Sequence, residues 1–153
     1  DHFRQQQKNN QLVELTDIAP TLLELAGIDI PPEVQGRSLL PLLTAEKTSD
    51  NPHRDYIRCE FMNALWQDPY TPHPTRPHPP GHATMYRDKR WKLVMYHSHN
   101  LGELYDLEND PYEFNSLWHD QKHACIKADL IQQSFNATVM AADPGPQIAS
   151  EAL

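Results

Sequence analysis

Fourteen prolines against five glycines, in 153 residues, do most to decide what this chain can fold into. A proline gives no N–H to a ladder or a helix interior, and it biases the residue before it towards extended backbone. Because the prolines cluster, the excess marks loops rather than the whole fold. Pro31-Pro32 and Pro52 bound one irregular stretch, residues 66–81 form a second, and Pro144 and Pro146 close the last helical pattern.

The strongest helix signal comes first, over residues 12–30. Asp17 is expected as N-cap, which puts Pro20 in the first turn, where a missing N–H costs nothing. Gly27 is expected just past the end, in the left-handed conformation, with Ile28 folding back on Leu23. Ile18, Leu22 and Leu25 share a face that a helix this short must bury against something. From Gln35 to Leu43, leucines 39, 40, 42 and 43 stud a loop-like segment, which reads as a strap on an apolar surface.

Strands follow. Residues 56–61 alternate in character. Residues 83–87 and 91–96 read as a hairpin turning at Asp88-Lys89-Arg90, with Trp91, Leu93 and Met95 on one face. A second turn over 97–102 leads to a fourth strand at 103–107. The excursion at 66–81 is anchored by Trp66 and Tyr70. A helix is predicted from about residue 119 to 142, with Ala124, Ala128, Ile131 and Phe135 as its apolar stripe. The fold class is α+β: a helix and strap, a four-stranded antiparallel sheet, and a packed C-terminal helix.

A net charge of −8 gives no basic field for a polyanion, so nucleic acid is excluded as the expected partner. No stretch is long and apolar enough to span a membrane. Cys59 and Cys125 lack metal or redox spacing, and buried free thiols are the plainer reading. Asn136-Ala137-Thr138 matches a glycosylation sequon, a triplet common by chance. The first residues are polar and the chain begins without Met, so a processed product or an excised fragment is expected. Location stays open between periplasm, cell exterior and cytoplasm.

Two blocks carry a family resemblance. The first is Leu15-Thr16-Asp17-Ile18-Ala19-Pro20-Thr21-Leu22-Leu23-Glu24-Leu25-Ala26-Gly27, followed by Gln35-Gly36-Arg37-Ser38-Leu39-Leu40-Pro41-Leu42-Leu43. The second is Tyr86-Arg87-Asp88-Lys89-Arg90-Trp91-Lys92-Leu93, then Gly102-Glu103-Leu104-Tyr105-Asp106-Leu107-Glu108-Asn109-Asp110-Pro111-Tyr112-Glu113-Phe114-Asn115-Ser116-Leu117. In this order the two blocks resemble the C-terminal region of type I sulfatases, of the alkaline phosphatase superfamily. The resemblance implies a division into residues 1–50, the end of a large catalytic α/β domain, and residues 51–153, a C-terminal subdomain. It further implies sulfate-ester hydrolysis by a formylglycine nucleophile beside a calcium ion. Both are expected in a preceding catalytic part, which would be this chain's chief partner. The substrate would be a sulfated small molecule or carbohydrate bound by that part, and a homo-oligomer is admitted. This sequence has no Cys or Ser in a C/S-x-P-x-R motif and no paired-Asp or Asp-His-Gly segment. No catalytic residue and no metal ligand is therefore assigned here. The alternatives are a fragment of a phosphodiesterase or phosphonate monoester hydrolase of the same superfamily, and a non-catalytic interaction module reusing the fold.

In sulfatases the C-terminal domain leans over the mouth of the active site. That implies a substrate-rim role for His82 and the 66–81 loop, since loops on a rigid scaffold carry contacts. The other candidates have plainer readings. His73, His78 and His82 are spaced by five and four among prolines, which presets no ligand geometry. His97 and His99 read as turn histidines. Arg87, Lys89, Arg90 and Lys92 could meet an anion, but hairpins often carry such charges for solubility. Asp17 is taken as structural through its cap.

Overall fold

The computed structural model describes residues 8–44, 52–62, 82–97 and 100–141. Helix α1 spans Ile18–Leu25 and is entered through a 3-10 turn, Leu15–Asp17. The strap ends in a one-turn helix, α2, at Leu40–Thr44. Strands β1 (Ile57–Met62), β2 (His82–Arg87), β3 (Trp91–His97) and β4 (Leu101–Asp106) form one antiparallel sheet in sequence order. A 3-10 turn, Gln121–His123, then opens α3 at Ala124–Ala141. This is the expected α+β arrangement. The 66–81 excursion, with His73 and His78, lies outside the described residues, as does His99.

The stop of α1 is the predicted one. Gly27 sits at φ 69, Ile28 N–H donates to Leu23 O over 2.9 Å, and Gly27 N–H to Glu24 O over 3.0 Å. The start is in the predicted place, with Asp17 at the N-cap and Pro20 in the first turn, but the expected bond is missing: Asp17 makes no side-chain cap on α1. The chain is already turning through Leu15–Asp17, so its carboxylate is free to reach back to Glu14 N–H at 2.9 Å and across to Arg37 N–H at 2.8 Å. The strap lies tight against this turn. A Cβ on Gly36 would stand well under 3.0 Å from Thr16 O, so only glycine permits the approach.

The hairpin between β2 and β3 turns on Asp88. Its Oδ1 accepts the N–H groups of Arg90 at 2.7 Å and Trp91 at 2.6 Å. One face of the sheet carries Tyr86, Leu93 and Leu104 in register, and these close with Leu130 and Ala137 of α3 into the core. Each buried leucine contributes about 1.5–3 kcal/mol. Trp91 and Met95 pack against this core, as expected for the face they share with Leu93. Trp118 covers Gly102, where a Cβ would run into the indole.

Three further expectations change. The buried line of α3 is Leu130, Ser134 and Ala137, flanked by Ile126 and Ile131. Ala124 and Ala128 face solvent, and Phe135 is 66% exposed. Ser134 is buried on that line, so α3 is rotated away from the stripe that apolarity alone suggests. Cys59 and Cys125 are free, as read, but exposed rather than buried. The apolar face of α1 finds no cover among the described residues: Ile18, Leu22 and Leu25 stay 48%, 60% and 46% exposed. What α1 buries instead is Pro20 and Thr21.

Candidate functional site

His82 opens β2, where the chain leaves the 63–81 segment, and its side chain is exposed. The register sets it opposite His97, the last residue of β3. Directly opposed residues share a face, so His82 and His97 lie on the same side of the sheet at one of its ends. His97 Nε2 lies 2.9 Å from Thr84 Oγ1, which orients that ring. Sequence reasoning treated His97 as a plain turn residue. The signal that would have paired it with His82 is the hairpin register, counted outward from Asp88-Lys89-Arg90.

The basic cluster is dispersed. Arg90 is committed to Asp106, with Nη2 at 2.8 Å and Nε at 3.1 Å, and lies 5.0 Å over the Trp91 ring. Lys92 pairs with Glu113. Lys89 is exposed, and Arg87 is half-buried. Two of the four cations are thus already neutralised and make no joint anion site. Asp106 is held down to about pKa 2, chiefly by Arg90, against the upward push of burial, with help from Asn109 and the Glu108 N–H.

Among the described residues the densest charged cluster is a junction at Asp17, which is fully buried. Arg54 binds both carboxylate oxygens, and His53 Nε2 stands 3.4 Å away. Glu14 lies 3.5 Å from Arg54 and accepts Arg58 N–H at 2.8 Å. Arg37 donates through Nη1 to His53 O at 2.9 Å. Burial alone would raise the Asp17 pKa, but Arg54 and the two N–H donors outweigh it and bring it to about 2. The junction ties the α1 turn, the strap and the entry to β1 by polar contacts.

Beside it runs an open groove of about 450 Å3, walled by Val13, Leu15, Ile57, Cys59, Met85 and Ala141. The charges on its rim are paired within the protein, Arg54 with Glu14 and Arg58 with Glu60 at 2.9 Å. It offers no free cation pair to a sulfate. Tyr86 cannot serve as a ready nucleophile: burial first, then nearby Asp88, push its hydroxyl up to about 12, and that hydroxyl donates to Gln133 at 2.8 Å. Among the described residues no three His, Cys, Asp or Glu side chains converge on a metal position. Asp17 and Asp106, the buried carboxylates, are both taken by arginines. The described residues therefore do not fit a calcium ion. Nor is any helix among them long and apolar enough to cross a membrane.

The chain is similar to known proteins along most of its length. It is 28% identical to the ulvan-active sulfatase of Formosa agariphila over 84% of this chain and 29% of that protein. It is 36% identical to the delta 4,5-hexuronate-2-O-sulfatase of Bacteroides thetaiotaomicron over 74% of this chain and 21% of that one. Among solved structures it matches a 2-O GAG sulfatase with a TM-score of 0.63 and 31% identity, over 83% of this chain and 25% of the other. It also matches the phosphonate monoester hydrolase of Silicibacter pomeroyi with a TM-score of 0.67 and 31% identity, over 84% and 25%. The chain thus spans under a third of the length of each. The family model for the C-terminal region of N-sulphoglucosamine sulphohydrolase matches residues 1–139. The chain belongs to that family of sulfatase C-terminal regions.

Proposed function

We propose that this chain is the C-terminal part of a sulfatase, a hydrolase of sulfate esters whose nucleophile and metal lie in a larger part that precedes it. The family match over residues 1–139 carries the reading. Two of the relatives are by name an ulvan-active sulfatase and a hexuronate-2-O-sulfatase, which supports a sulfated carbohydrate as the substrate class. The formylglycine and the calcium ion belong, in this reading, to that preceding part.

Residues 1–50 would be the closing segment of the larger domain, and residues 51–153 the subdomain beside it. Two observations support this. The apolar face of Ile18, Leu22 and Leu25 stays about half-exposed and has no cover among the described residues. The segment is tied to the sheet through the polar Asp17 junction rather than through the Tyr86–Leu93–Leu104 core. Placing Asp at Leu22 in the longer protein should therefore lower its stability by about 2 kcal/mol or more. An unchanged unfolding midpoint would show that nothing covers that face.

His82, with His97 beside it, would form part of the substrate rim. His82→Ala in the longer protein should raise KM for a sulfated sugar and leave kcat nearly unchanged, the pattern of lost ground-state contact. No change in either constant would remove His82 from the rim. The phosphonate monoester hydrolase structure makes that activity the competing reading. The deciding assay runs the longest polypeptide carrying this sequence on an aryl sulfate and on a phenyl phosphonate, each with calcium. Sulfate turnover well above phosphonate turnover supports the sulfatase, and the reverse order replaces it.

A further inference from the structure

Tyr112 and Phe114 stand on the loop after β4, 77% and 80% exposed. Their rings lie 5.8 Å apart, centroid to centroid, and within 26° of parallel. Two large aromatic side chains stacked on each other in water are uncommon on a surface that has no use for them. The loop that holds them is braced. Asp110 accepts the N–H groups of Phe114 at 3.1 Å and Asn115 at 2.8 Å. Glu113, between the two aromatics, is held at φ 60, a left-handed conformation that costs on the order of 1 kcal/mol for a non-glycine residue. Its carboxylate is turned to Lys92 of β3. That strain sends Glu113 to the sheet and leaves its neighbours facing out, already stacked.

We propose that Tyr112 and Phe114 form a stacking platform for one pyranose ring of a polysaccharide. The choice of polymer rests on the carbohydrate-sulfatase reading above. A pyranose presents an apolar C–H face ringed by hydroxyls. The outer face of either aromatic ring meets the first, and the exposed Asn115 with the Tyr112 hydroxyl meets the second. Stacking does not depend on charge. That suits a chain of net charge −8, which a sulfated polymer would otherwise approach against repulsion.

The test is affinity electrophoresis of the longest protein carrying this sequence, in gels containing ulvan or chemically desulfated ulvan. Both polymers should retard the unaltered protein. The Tyr112→Ala/Phe114→Ala double variant should bind about tenfold more weakly to both. Turnover of a small aryl sulfate should stay unchanged, and Phe114→Trp should keep the retardation. Equal retardation of the double variant and the parent overturns the platform. So does retardation by the sulfated polymer alone, which would be a charge effect. A fall in oligomer mass in the double variant, with polymer binding intact, overturns it as well, since the pair would then be a contact between copies. Absence of sulfate hydrolysis alongside the expected retardation pattern removes the sulfatase reading and leaves the platform standing.

Discussion

The guanidinium of Arg54 lies against the carboxylate of Asp17, with Nε donating to Oδ2 over 3.2 Å and a second nitrogen bound to Oδ1. Asp17 is wholly buried, so each charge depends on the other. Removing one partner of a buried pair strands the other, at a cost of about 3–5 kcal/mol. Arg54→Met and Asp17→Ala should each approach that loss in urea unfolding. The double variant should lose less than the sum, because the second change removes the stranded charge. Strict additivity would mean that the pair is not coupled.

Pairing of this kind, at Asp17 with Arg54 and at Asp106 with Arg90, sets an acid limit. Asp17 and Asp106 both have folded pKa values lowered to about 2 from 3.8. A carboxylate lowered on folding stabilises the protein above its unfolded pKa, and the contribution is lost as pH falls through the folded value. Stability should therefore be level above about pH 5 and decline between about pH 4 and 2. Asp106→Asn should flatten part of that decline and Asp17→Asn another part, at the cost of lower stability at pH 7. An acid slope identical in both variants and the parent would assign the transition to other groups.

The contrast between these two aspartates and the hairpin shows what the sequence discloses. Asp88 acts on N–H groups two and three residues away, so its turn is legible in the local sequence. So is the Gly27 stop, whose bonds reach back only to Leu23 and Glu24. Asp17 spends its carboxylate on Arg37 and Arg54, 20 and 37 positions on, and no local pattern encodes such partners. The α3 stripe failed for a related reason. Its orientation follows from packing Leu130 and Ala137 against Leu93 and Leu104, which leaves Phe135 outward. At the candidate rim, His82 was legible as a position after a loop. Its pairing with His97 follows only once the register is fixed.

Two glycines of similar appearance should behave differently. At Gly27 a Cβ meets nothing within 4 Å, so Gly27→Ala carries only the strain of φ 69, about 1 kcal/mol. Gly27→Asn should cost less, since Asn tolerates that region. At Gly36 the obstacle is backbone, Thr16 O, which cannot swing aside. Gly36→Ala must lift the strap from the α1 turn, straining the Arg37 N–H bond to Asp17, and should cost about 2–3 kcal/mol or more. Thermal unfolding of the three variants gives the order. A Gly36→Ala variant no worse than Gly27→Ala would show that the strap is not pressed against the turn.

The cysteines offer a direct check on the sheet and on α3. Cys59 lies on β1 and Cys125 in the first turn of α3, both free and both exposed. An exposed thiol reacts as its thiolate with a disulfide reagent, whereas a buried one waits for unfolding. Peptides carrying Cys59 and Cys125 should both be labelled by an aromatic disulfide reagent in the native protein, without denaturant and without prior reduction. Labelling of Cys125 alone would mean that a neighbouring part of a longer polypeptide covers β1 and the groove beside it, since Cys59 lines that groove. Labelling of neither until a reductant is added would mean that the two are oxidised, contrary to their separate positions here.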